Sequence, residues 1–200
     1  MSSHVQDKEV NDHMIQRGGF WHFAREFITH PRQTGALFPS SRSLAKRMAG
    51  QVPEGGGIVI ELGPGLGSVT AALVARGIPQ KDIWAIEYSP RLAAKLRQRF
   101  PGVNVIEGDA RHLSQLIPHR SDPIRAIVSS LPLRSLPKQT VKTIFSELHK
   151  VASPSTVYVQ FTYHFRSACS RLPLHFVPCH RSFVPFNLPP ARVDAYCYQK

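Results

Sequence analysis

An α/β protein built on a doubly wound, mostly parallel sheet of seven strands is what this 200-residue sequence predicts. Three observations carry that reading. From residue 58 onward, short β-rich apolar runs alternate with helical patterns, which implies crossover connections and a parallel sheet. A glycine loop, "ELGPGLGSVT" (61–70), directly follows the first of those runs, Ile58-Val59-Ile60. The last two β-like runs have no helix between them, so they form an antiparallel hairpin at one sheet edge. An N-terminal amphipathic helix precedes the sheet.

The elements follow in order. Ile58–Ile60 is the first strand. Val69–Arg76 is a helix that Gly77 stops. Ile83–Ile86 is the second strand, and Ser89-Pro90 opens the next helix with an N-cap and a proline at the first helical position. Leu92, Leu96 and Phe100 line that helix, and Pro101-Gly102 end it. Val103–Ile106 and Ile124–Ser129 are strands three and four. From Pro137 a helix carries the stripe Val141, Ile144, Phe145, Leu148 and Val151, a 3.6-residue period. Thr156–Tyr163 is the fifth strand; Arg181–Phe186 and Arg192–Tyr198 form the hairpin around "FNLPPARV".

Composition bounds the function. The chain is long enough to bury a full core in one domain with a small appendage. Its 25 Lys+Arg against 13 Asp+Glu leave a net charge of +12, which draws polyanions, meaning nucleic acid or an anionic membrane surface. The three cysteines, Cys169, Cys179 and Cys197, make a poor disulfide framework and point to a reducing, cytoplasmic setting. His175, Cys179 and His180 match no common zinc spacing, so no metal is expected. The longest apolar region, Gly57 to Ala75, is broken by Glu61 and several glycines and cannot supply the ~20 apolar residues of a membrane span.

The glycine loop is not a dinucleotide fingerprint, because Ser68 stands where G-x-G-x-x-G needs its third glycine, and it lacks the Lys-Ser/Thr of a P-loop. An acid at the strand end suits S-adenosylmethionine (SAM), which carries an amino group and a sulfonium. Glu61 orients the amino-acid portion, directly or through water, while Gly63 and Gly65 allow close backbone approach. Glu87, at the end of strand two, is placed to accept both ribose hydroxyls. Asp109, in "EGDA", is placed to accept from the adenine amine.

These three motifs, "VIELGPGLGSVT", "AIEYSP" and "VIEGDA", resemble those of the class I SAM-dependent methyltransferases over residues 35–200. The resemblance implies their Rossmann-like sheet, SAM as cofactor and S-adenosylhomocysteine as product. It assigns Glu61, Gly63, Gly65 and Gly67 to the methionine side, Glu87 to the ribose, Tyr88 to the adenine face, and Asp109 and Ala110 to the adenine edge. Ser129, at the end of strand four, joins this set.

The acceptor is read from "VSSLPLRSLP" (128–137). Adenine N6-methylases with similar SAM motifs carry an Asn/Asp and an aromatic residue here, to hold and stack a flipped base. This chain has Ser130-Leu131-Pro132-Leu133 instead. An alkyl amine needs only proximity, orientation and proton removal. Tyr163 in "QFTYHF" is the aromatic face for a methylated cation, or else a wall residue; His164 is a base, a phosphate contact, or an ordinary polar side chain.

Between Gly18 and Ala49, Phe20, Phe23, Ala24, Phe27 and Ile28 share one helical face, flanked by Trp21, Arg17 and Arg25. This is the pattern of an interfacial helix, or of an amphipathic helix capping the sheet. With "HPRQTGALFPSSRSLAKRMA", "SSLPLRSLP", "QFTYHF" and "NLPPARVDAY", nearly the whole chain resembles the bacterial phospholipid N-methyltransferases. That resemblance implies stepwise methylation of phosphatidylethanolamine toward phosphatidylcholine, with relatives acting on ornithine lipid. It implies membrane-binding lid helices over 1–48 and a SAM-dependent methyltransferase domain over 49–200. Phe20, Trp21, Phe23, Arg25 and Phe27 then meet an anionic membrane, and Ser40 of the Pro39-Ser40-Ser41 turn lies against the cofactor. Arg166, Arg171 and Arg192 are candidate contacts for the lipid phosphate. The expectation is a monomer, cytoplasmic and peripherally bound to the cytoplasmic membrane, with nucleic acid not the partner. The alternatives are an rRNA-type adenine N6-dimethyltransferase, which the charge favours, and a non-catalytic SAM- or lipid-binding module.

Overall fold

The computed structural model describes residues 42–117, 122–163, 175–185, 187 and 189–199. Its strands are β1 (Ile58–Leu62), β2 (Ile83–Glu87), β3 (Asn104–Glu107), β4 (Ile124–Ser129), β5 (Val157–Thr162), β6 (Phe176–Val184) and β7 (Ala191–Tyr198). The helices are α1 (Arg42–Ala49), α2 (Ser68–Ala75), α3 (Pro90–Arg99), α4 (Leu113–Leu116) and α5 (Lys138–Val151).

The strands form one seven-stranded sheet in the order β3-β2-β1-β4-β5-β7-β6. β1 to β5 pair in parallel, and β7 runs antiparallel between β5 and β6. The sheet is therefore doubly wound with an antiparallel edge, as the sequence predicts. β1, β2 and β4 are buried along their whole length, which is why they read as unbroken apolar runs rather than alternating ones. Chain order reverses between β1 and β4, and the crevice beyond the strand ends there is where a doubly wound sheet binds its ligand.

Local chemistry sets the helix boundaries. Gly67 caps α2 in the left-handed region at φ 78°. Ser89 Oγ accepts from the Leu92 N–H at 3.5 Å, with Pro90 opening α3. In α5, Val141, Ile144, Phe145 and Leu148 are buried, as their spacing predicts. Leu44 and Met48 of α1, Leu73 of α2 and Leu96 of α3 join Val59, Ala85, Val128 and Val159 in a common core. On the opposite side of β5, the ring of Phe145 meets that of Tyr158 edge-on, with centroids 5.9 Å apart.

Two expectations are corrected. β6 begins at Phe176, five residues before the sequence places it (181 − 176), because Pro178 and a run of exposed side chains mask it. Proline is tolerated there because β6 is an edge strand, and the ladder is irregular between Pro178 and His180. Second, Cys179 and Cys197 form a disulfide across β6 and β7, with their Cα atoms 5.8 Å apart. The cysteine pattern is therefore no argument for a reducing compartment.

The bridge closes a sequence separation of 18 residues, which stabilises a chain by about 3 kcal/mol. Cys197→Ser is expected to lower the midpoint of thermal unfolding by roughly 10 °C relative to the oxidised protein. Scans with and without dithiothreitol check this: the wild type should respond to the reductant and the variant should not. Among the described residues no helix is long and apolar enough to cross a membrane, and no three His, Cys, Asp or Glu side chains cluster as metal ligands.

Candidate active site

Four parallel strands end side by side, and backbone hydrogen bonds join the loops that follow them. Gly108 N–H, after β3, donates to the Glu87 carbonyl at 2.9 Å; Gly63 N–H, after β1, donates to the Ile86 carbonyl at 3.0 Å. Ser130 N–H, after β4, donates to the Leu62 carbonyl at 2.9 Å. The loops that carry Glu61, Gly63, Gly65, Glu87, Asp109 and Ser129 thus meet at one crevice.

Glu61 lies at the centre and is fully buried. Its Oε2 accepts from Thr70 Oγ1 at 2.6 Å, while Oε1 has no partner. Burial pushes its carboxyl up to about 7; the Thr70 hydroxyl and amide pull the other way, and the Glu87 charge adds to the rise. A buried carboxylate oxygen without a donor beside a glycine loop is a cation-accepting group, which fits the amino group of SAM. Thr70 is not among the predicted site residues; its sequence signal is a hydroxyl in the first turn of the helix that follows the acid.

The glycines shape this crevice by different means. Gly63, Gly65 and Gly67 all take left-handed φ values, 67°, 59° and 78°. A Cβ on Gly63 would lie 2.8 Å from Leu131 Cδ2, and one on Gly67 would lie 2.7 Å from Phe100 Cε2. Gly67 is therefore a packing glycine, the point where α2 meets α3, and its assignment to the cofactor does not rest on contact.

Glu87 is 3% exposed. Its Oε2 accepts from Gly65 N–H at 3.0 Å and its Oε1 from Ser89 N–H at 2.9 Å, so the acid also braces the glycine loop. Burial raises its carboxyl, with those backbone amides opposing. Each oxygen keeps a lone pair for a ribose hydroxyl. Tyr88 beside it is 42% exposed. Asp109 is not the free acid that the sequence suggests. Its Oδ2 takes Arg111 Nε and Nη2 at 2.9 and 2.6 Å, and its Oδ1 takes the Arg111 N–H at 2.9 Å. Only Oδ1 retains room for an adenine amine. Ala110 follows, buried, in a 3₁₀ turn. Arg111 escaped notice because a basic residue two positions past an acid reads as surface charge.

On the acceptor side Ser129 is fully buried and its Oγ accepts from Leu131 N–H at 3.4 Å. Tyr163 follows β5 with its ring edge-on to Phe161, centroids 5.4 Å apart. Burial raises its phenol, which a hydrogen bond with Asn187 opposes. Arg192 is no solvated cation: it is 5% exposed and its Nη2 meets Asp194 Oδ2 at 2.8 Å, so its charge is already engaged. His164, Ser40, Arg166, Arg171 and the N-terminal Phe20, Trp21, Phe23, Arg25 and Phe27 lie outside the described residues.

This fold and this set of strand-end acids define a class I SAM-dependent methyltransferase, and a methyltransferase domain model matches residues 59–155. The chain belongs to that class, and its cofactor is SAM. It is 31% identical over 185 residues to the ornithine lipid N-methyltransferase of Singulisphaera acidiphila, a match covering 86% of this chain and 92% of that protein. It is 35% identical over 110 residues to ribosomal RNA small subunit methyltransferase A of Azorhizobium caulinodans, covering 52% of this chain and 37% of that protein. Among solved structures, the N-methyltransferase NodS of Bradyrhizobium japonicum, in complex with S-adenosylhomocysteine, superposes with a TM-score of 0.65 at 13% identity. That likeness covers 90% of this chain and 98% of NodS.

Proposed function

We propose that this enzyme methylates the amine headgroup of a phospholipid or related amine lipid at a membrane surface, with phosphatidylethanolamine and ornithine lipid as the two candidate acceptors. The observation that carries the proposal is the span of the likeness: it runs the length of a lipid N-methyltransferase, whereas the likeness to the rRNA enzyme stops at about a third of that protein. The loop Ser130–Leu133 supports it, having neither the amide nor the aromatic ring that a flipped adenine needs.

When bound, SAM supplies an electrophilic methyl group on a sulfonium. The chain's part is to bind and orient. Glu61 takes the amino group, Gly63 and Gly65 let the backbone approach, Glu87 takes the ribose, and Asp109 with Ala110 takes the adenine edge. Tyr163 and His164 face the acceptor amine, whose proton leaves to water or to the lipid phosphate. Ser40 is assigned to the cofactor, and the segment bearing Phe20, Trp21, Phe23, Arg25 and Phe27 binds anionic lipid. Exposed Arg134 and Lys138 flank the acceptor loop and suit the same surface.

The test is lipid extraction and chromatography after reaction with methyl-labelled SAM and vesicles of phosphatidylethanolamine or ornithine lipid, each with anionic lipid. Label is expected in at least one amine lipid, with its methylated products resolved by mass spectrometry. Label in rRNA and in neither lipid would sink the proposal.

A further inference from the structure

The acceptor loop is held from the neighbouring strand by one side chain. The Leu131 carbonyl accepts twice, from the Leu133 N–H at 2.9 Å and from Gln160 Nε2 at 3.1 Å. Both of its lone pairs are then in use. Gln160 is on β5 and 8% exposed. Its amide has a defined orientation, because the hydroxyl of fully buried Tyr158 donates to Oε1 at 2.7 Å. That turns Nε2 onto the Leu131 and Phe161 carbonyls, each at 3.1 Å. From the other side, the Leu131 side chain closes on Gly63.

We infer that Gln160 is a positioning residue that keeps the Leu131 carbonyl satisfied, so that the acceptor pocket does not demand an N–H from its amine. The inference rests on the reading of Ser129–Leu133 as the acceptor wall. Its chemical consequence concerns repeated methylation. Each transfer forms an N–CH3 bond, breaks the S–CH3 bond and releases one N–H proton to water. A primary amine therefore loses its hydrogen-bond donors as it is methylated. Without Gln160 the Leu131 carbonyl keeps the Leu133 N–H and has one open lone pair, which a donor-rich amine fills and a tertiary amine does not. With Gln160 in place that preference is absent, and tertiary amines are accepted.

The test compares kcat/KM on phosphatidylethanolamine and on its N,N-dimethyl form, supplied separately in anionic vesicles, for wild type, Gln160→Met and Tyr158→Phe. Gln160→Met keeps the length and removes Nε2. It is expected to lower the dimethyl-to-primary ratio about tenfold, with SAM affinity within twofold of wild type; Tyr158→Phe should move the ratio the same way by less. An unchanged ratio, a parallel fall in SAM affinity, or a wild type that refuses the dimethyl lipid while using the primary one overturns the inference. Amide hydrogen exchange is read alongside: the Leu133 N–H should exchange about tenfold faster in Gln160→Met, and an unchanged rate also overturns it. Should wild type bind SAM but methylate neither of these two lipids, phosphatidylethanolamine is not the acceptor, and the exchange rate alone decides the role of Gln160.

Discussion

Glu61→Gln is expected to weaken SAM binding by about 3 kcal/mol, on the order of 100-fold, while making the free protein more stable at alkaline pH. Both effects come from one buried carboxyl. Oε1 has no partner, and removing one member of a buried charge pair costs about 2–5 kcal/mol. In the free protein the same burial raises the carboxyl from 4.5 to about 7. The fold therefore binds this proton more tightly than the unfolded chain does. Its stabilising share is complete below about pH 4.5 and is lost as pH rises through 7, a total of about 3 kcal/mol. Glutamine has no such loss, so the variant should unfold at higher denaturant than wild type at pH 8.5, and the gap should close toward pH 5. SAM binding runs the other way: a cationic amino group draws the proton off Glu61, so wild-type affinity rises with pH up to about 7 and a proton is released below it. Calorimetry in buffers of different ionisation enthalpy measures that release, and equal release by wild type and Glu61→Gln would falsify the assignment.

The second large effect is expected at Gly67. Alanine there must adopt a φ of 78°, which costs a non-glycine residue about 1–2 kcal/mol. Its Cβ would also lie within 2.7 Å of Phe100 Cε2 and 2.8 Å of Leu96 Cδ2, and overpacking adds about 1–3 kcal/mol. Gly67→Ala should therefore lower unfolding stability by about 3 kcal/mol, measured by urea denaturation. Gly77→Ala is the control: it bears the same kind of φ, 90°, with nothing within 4 Å of its Cβ, and should cost only the backbone share. Equal losses at the two positions would show that packing against α3 contributes nothing.

The parallel half of the sheet was legible because its strands are short, largely apolar runs, and the first three end at or beside an acid, Glu61, Glu87 and Asp109. What escaped depended on which strands become neighbours. Gln160 sits in an ordinary-looking strand, and only the pairing of β4 with β5 brings it to Leu131. Cys179 and Cys197 look unrelated until β6 and β7 pair. Asp109 follows β3, but a side chain two residues away occupies most of its carboxylate, which strand patterning does not reveal. β6 was shortened in the reading because its exposed polar side chains and Pro178 carry no apolar alternation.

The position of β7 sets a temporal order on the making of this molecule. Among the described residues β6 is joined to the sheet only through β7, and both follow β5 in the chain. Until β7 arrives, β5 offers an open strand edge, the kind that captures other chains. Val157 waits for Cys197, a pairing that bridges 40 residues of sequence (197 − 157), and such non-local closures are slow. The nascent chain thus emerges with its cofactor-side strands able to assemble while the sheet's far margin is still unsealed. Docking of β7 on β5 is the step that seals that margin.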